Sequence, residues 1–141
     1  MANIEHLQKI NTSIDLIYQA LTTEEGLANV WTNSLSVTNE VNGFSSFYFG
    51  GEDRVKVRII ELKPDELVSW ECVASDEEPE WIGTTITFEL YKQENHAVVE
   101  LTHAGWQEVS SCYRYCNYNW SMFLQSLKHY CEEGKGAPYQ A

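Results

Sequence analysis

The sequence predicts a single α+β domain in which a seven-stranded antiparallel sheet curves around one long C-terminal helix. Three observations carry this reading. Capped helical spacing follows the first strand, six segments of period two come next, and the chain closes on a long run with apolar residues three and four apart. At 141 residues the chain is expected to form one domain, 1–141, long enough to bury a core of its own.

The first strand is read over 2–10. Asn11, Thr12 and Ser13 offer capping oxygens to a short helix reaching Leu21, whose apolar face carries Ile14, Ile17, Tyr18 and Leu21. Thr22 and Glu25 have capping-box spacing and open a second short helix that ends at Trp31. Strands are then expected over 34–40, 44–50, 53–62, 66–75, 81–91 and 96–103, separated by turn residues such as Gly50-Gly51, Pro64-Asp65 and Gln93-Glu94-Asn95. Connections this short imply antiparallel neighbours in a meander.

Alternation assigns the inward faces. Val55, Val57 and Ile59 point in, as do Val68, Trp70 and Cys72. Ile82, Thr84, Ile86, Phe88 and Leu90 follow on the next strand, then Ala97, Val99, Leu101 and His103. In 44–50 the parity favours Phe47 and Phe49. The last helix begins between Trp106 and Ser111 and shows Val109, Tyr113, Cys116, Trp120, Leu124, Leu127 and Cys131 along one face. Lys128 and His129 are expected in its last turn, Gly134 as its left-handed terminator, and Pro138 as a bar to restarting it.

Widths then set the geometry. Seven strands spaced by ~4.8 Å span about 30 Å, whereas a helix covers about 10 Å. The sheet must curl around the helix, with the short helices plugging one end. The enclosed space is either filled by large side chains or left as a pocket, and composition does not choose between them.

The formal net charge of −12 disfavours nucleic acid and anionic lipid surfaces as partners. The N-terminal residues carry no secretion-signal pattern and no apolar run is long enough to span a membrane, so a cytoplasmic setting is expected, with four free thiols. Cys112 and Cys116 have a ligand-like i, i+4 spacing, but with His103 and Cys72 they do not make a convincing zinc set, and core cysteines with no metal and no cofactor are the expectation. A hydrogen-bonded structural role is favoured for His103 over ligand contact or acid–base catalysis. Trp31, Trp81 and Trp106 are candidates for the rim of an opening, and Asp76-Glu77-Glu78-Pro79-Glu80 reads as a solvated loop.

Five segments occur together in this order of elements: Ile17 to Thr23, Trp70-Glu71-Cys72, Gly83 to Phe88, Leu101 to Trp106, and Trp120 through Pro138. With them the chain resembles the START/Bet v 1-like superfamily with its helix-grip fold, and more closely its AHSA1-type branch. The resemblance covers essentially the whole chain, although of the Hsp90 co-chaperone it matches only the C-terminal domain, with no room for the N-terminal one. The resemblance implies a hydrophobic cavity between sheet and long helix. The expected ligand-contacting residues are Trp31, Phe47, Phe49, Val57, Trp70, Cys72, Thr84, Phe88, His103, Tyr113, Cys116 and Trp120. The expected function is non-catalytic binding of an apolar, lipid- or polyketide-like small molecule by a monomer or weak homodimer. An Hsp90-related interaction domain, or a cyclase or hydrolase using His103, are the alternatives.

Overall fold

The computed structural model describes residues 2–51 and 53–141. Strand β1 (Ala2–Ile10) leads into helices α1 (Ile14–Thr22) and α2 (Glu24–Val30). Strands β2 (Leu35–Ser36), β3 (Phe44–Tyr48), β4 (Arg54–Lys63), β5 (Leu67–Ser75), β6 (Thr85–Gln93) and β7 (His96–Trp106) follow, and α3 (Ser111–Glu133) closes the fold. The sheet order is β1-β7-β6-β5-β4-β3-β2, antiparallel throughout. This is the α+β helix-grip arrangement.

Curvature has local causes. Register shifts interrupt the ladder at Ala2/Ile4, Lys56/Val57 and Ile59/Glu61, and each extra residue bends its strand and increases its twist. The concave face thus wraps the buried stripe of α3: Cys116, Trp120, Phe123, Leu124 and Leu127.

Several boundaries differ from the sequence reading. Thr23, not Thr22, caps α2, its hydroxyl accepting from the Gly26 amide at 3.0 Å, while Thr22 donates to the Tyr18 carbonyl within α1. Gly26 packs directly against the Ala20 backbone, an approach that a Cβ would block. Strand β2 holds two residues only, since Val37 and Thr38 bond instead to side chains, Glu24 and Ser45. Strand β6 starts at Thr85 because Pro79–Trp81 form a 3₁₀ turn and Gly83 takes a φ of 89°. Ile82 is therefore exposed rather than inward.

Strand β7 runs on to Trp106, which is buried and not at a rim, and Val109 is exposed ahead of α3. Lys128 and His129 lie before the last turn of α3, each pairing with the acidic residue four positions on. Gly134 ends the helix in the left-handed conformation, φ 83°. Beyond Pro138 the tail remains tied down. The Tyr139 amide donates to the Trp31 carbonyl at 2.8 Å, the Asn33 amide donates to the Tyr139 carbonyl at 3.0 Å, and Ser126 Oγ joins the Val30 carbonyl to the Ala137 amide.

Candidate functional site

Most of the space between sheet and helix is filled by rings. Trp31 sits 4.5 Å from Phe47 and 5.6 Å from Trp120, centroid to centroid; Trp70 packs on Phe88 at 5.2 Å, and Phe88 on Phe123 at 5.7 Å. Tilted, edge-on and, for Phe88 on Phe123, stacked, these contacts avoid the face-to-face sandwich that aromatic quadrupoles disfavour. Phe47, Val57 and Phe88 are fully buried, and Trp70 and Cys72 nearly so.

His103 lies in this packing with every polar atom engaged. Trp120 Nε1 donates to its Nδ1 at 2.9 Å. Its Nε2 therefore carries the proton and donates to Thr84 Oγ1 at 2.8 Å, and that hydroxyl donates onward to the Trp81 carbonyl. Burial lowers the imidazole pKa from 6.5 to about 3, so the ring is neutral. Neither nitrogen has a free lone pair to act as a base, and no carboxylate among the described residues bonds to it.

A cavity remains where the N-terminal half of α3 leaves the sheet. It measures about 280 Å³ and is lined by Trp31, Phe49, Val55, Trp81, Cys116 and Trp120, with half-buried Asp53 and Glu78 and exposed Tyr115 and Asn119 completing the wall. The 3₁₀ turn builds one wall. Pro79 at its first position fixes the backbone, Trp81 turns inward to stack on Trp120 at 5.8 Å, and Glu78 is left at its N-terminus facing α3. The Cys116 thiol donates to Glu78 Oε2 at 2.8 Å, the Cys112 thiol reaches the same oxygen at 3.5 Å, and Trp81 Nε1 donates to Cys116 Sγ at 3.1 Å. Burial, reinforced by the Glu78 carboxylate, raises both thiol pKa values, that of Cys112 to about 11. Burial also raises the Asp53 pKa, with Glu78, Glu77 and Asp76 adding repulsion.

Of the twelve residues expected to contact a ligand, Trp31, Phe49, Cys116 and Trp120 line this cavity. Phe47, Val57, Trp70, Cys72 and Phe88 stand in the packed core behind it, and Thr84 and His103 form the hydrogen-bond relay. Tyr113 meets Trp106 edge-on at 5.4 Å and donates to the Asn3 carbonyl, closing β1 onto α3. Sequence reasoning missed Asp53, Glu78, Tyr115 and Asn119. The signal for Glu78 was the proline after it, which sets a 3₁₀ turn where the acidic run reads as plain loop. All four cysteines are free, and the grouping of Cys72 with His103 and Cys116 does not form. No helix among the described residues is long and apolar enough to cross a membrane.

Solved structures share this architecture. The Aha1 dimer from Colwellia psychrerythraea superposes with a TM-score of 0.86 at 39% identity, covering 96% of this chain and 100% of that one. A protein from Staphylococcus saprophyticus matches with a TM-score of 0.79 at 17% identity, over 98% of this chain and 99% of its own. DynU16, from the dynemicin biosynthetic locus, matches with a TM-score of 0.78 at 16% identity over 95% of this chain and 48% of its own; at such identities the likeness concerns the fold alone. No curated protein matches the chain. The family model described as Activator of Hsp90 ATPase homolog 1-like protein matches residues 11–132, so with the sheet, the gripped helix and this span the chain belongs to the AHSA1 family.

Proposed function

We propose that the protein is a non-catalytic binding domain that holds an apolar small molecule between the sheet and α3. The carrying observation is the cavity walled by Trp31, Phe49, Trp81 and Trp120. Its size limits the guest. An apolar cavity of ~150 Å³ takes a benzene, and drug-sized pockets begin near ~300 Å³, so about 280 Å³ suits one or two rings. An apolar tail on such a guest runs into the adjoining open groove, which shares Trp31, Phe49 and Asn119 and continues over Met122, Phe123 and Tyr139. His103 offers no route to catalysis, because its relay is complete without a substrate. Native mass spectrometry of freshly purified protein, with indole ¹⁵N shifts during titration of naphthalene-based and fatty-acyl compounds, tests the reading. Movement of the Trp31, Trp81 and Trp120 signals is expected. No bound species and no shift at any of the three would end it.

A second reading is self-association. It is favoured by the Colwellia protein, which is a dimer and 39% identical. Tyr115, Tyr118 and Met122 lie on one face of α3 and are 64%, 62% and 52% exposed, an unusual apolar strip for solvent. Light scattering should give twice the chain mass, and Tyr118→Glu should return it to one. A wild-type mass of one chain across concentration dismisses the dimer.

A further inference from the structure

We propose that Cys112, Cys116 and Glu78 form a binding site for a thiophilic divalent cation, zinc by preference, in the wall of the cavity. The inference does not depend on an organic guest. One ligand atom from each residue lies within 4.8 Å of the others, drawn from two separate elements: α3 supplies both sulfurs one turn apart, and the 3₁₀ turn supplies the oxygen.

The spacing suits tetrahedral coordination. Zn–S bonds of ~2.3 Å and Zn–O bonds of ~2.1 Å place two sulfurs about 3.8 Å apart and a sulfur and an oxygen about 3.6 Å apart. The two Sγ atoms stand at 3.9 Å and Cys112 Sγ to Glu78 Oε2 at 3.5 Å. Only the 2.8 Å contact between Cys116 Sγ and Glu78 Oε2 has to lengthen, and it is a hydrogen bond whose proton leaves on metallation. Both thiols already aim at one carboxylate oxygen, so a dication entering between them replaces two protons: M²⁺ plus two thiols gives a dithiolate complex and 2 H⁺ released to solvent.

The surroundings supply the rest. Trp81 Nε1 donates to Cys116 Sγ at 3.1 Å, the outer hydrogen bond that orients a metal-bound thiolate. Asp53, Asp76 and Glu77 sit near Glu78 and make the mouth negative, favouring a cation. Two sulfurs select zinc over magnesium or calcium. With three protein ligands the fourth position opens toward the cavity, where a water or a guest atom completes the shell.

The test uses the full chain, stripped with chelator and titrated with Co²⁺. Sulfur-to-cobalt charge-transfer absorption and tetrahedral d–d bands should appear at one ion per chain and be bleached by Zn²⁺. Cys112→Ser, whose side chain is partly exposed, should weaken binding more than about 100-fold while far-ultraviolet circular dichroism stays native; Glu78→Gln should also weaken it. Trp81→Phe, which removes the orienting donor and part of the ring packed on Trp120, should cost about 10- to 100-fold. Cys131→Ser should change nothing. Absence of the charge-transfer band in the wild type, or a band unaffected by Cys112→Ser, overturns the site. Neither result bears on whether naphthalene-based ligands shift the indoles.

Discussion

Trp120 donates its indole N–H to Nδ1 of His103 at 2.9 Å, fixing from the helix the tautomer of a ring carried by the sheet. Because the imidazole also donates to Thr84, the relay spans α3, β7 and the turn before β6. Its members are each at most 2% exposed, so it behaves as a buried polar network with every partner in place.

Buried His103 makes the stability of the fold depend on pH. His103 has its pKa lowered to about 3 in the folded protein by burial, against 6.5 when unfolded. The unfolded chain therefore binds the extra proton first. The stabilisation is complete above about pH 6.5 and is lost progressively as pH falls toward 3, with a slope approaching ~1.4 kcal/mol per pH unit. Urea unfolding between pH 4 and 8 should show this slope in the wild type and lose much of it in His103→Gln. Equal slopes in both proteins would contradict the assignment.

Removing the donor isolates the hydrogen bond. Trp120→Phe keeps a large ring but leaves Nδ1 of His103 unpaired in the core, a cost of about 1–3 kcal/mol beyond the change in packing. His103→Gln combined with Trp120→Phe should cost less than the sum of the two single changes, which a double-mutant cycle by chemical denaturation measures.

Guest binding is separable from stability at Asn119. This exposed residue of α3 lines both the cavity and the groove without entering the packed core. Asn119→Trp should fill the mouth, abolish the indole shifts on titration, and leave the unfolding free energy within about 0.5 kcal/mol of wild type.

The helix cap distinguishes two neighbouring threonines. Thr23→Ala removes the side-chain oxygen that accepts the Gly26 amide and should destabilise by about 1 kcal/mol, measured by thermal unfolding. Thr23→Ser should recover most of it.

Ser126 holds the tail. Its hydroxyl donates to the Val30 carbonyl at 2.7 Å and accepts the Ala137 amide at 2.8 Å. Ser126→Ala should cost about 1–2 kcal/mol and speed hydrogen exchange at the Ala137 and Tyr139 amides. Unchanged exchange at both would show that the tail is held elsewhere.

Period and alternation were enough to read the seven strands, the three helices and nearly every inward residue, because hydrophobic burial acts on spacing along one element. Val55, Val57 and Ile59 could point nowhere else once Arg54, Lys56 and Arg58 took the other face. Gly134 ended α3 where its freedom at positive φ required. The cavity was not legible in this way. Whether the gap between a broad sheet and a narrow helix stays open depends on how Trp70, Phe88, Phe123 and Trp120 interlock across elements, and they fill its depth while leaving its mouth. Only the tertiary structure brought Glu78 against Cys112 and Cys116, since residues more than thirty positions apart meet through a turn whose direction is set by packing Trp81 on Trp120. Spacing along a chain records which side of an element is apolar; it holds no record of the distance between two such sides once they face each other.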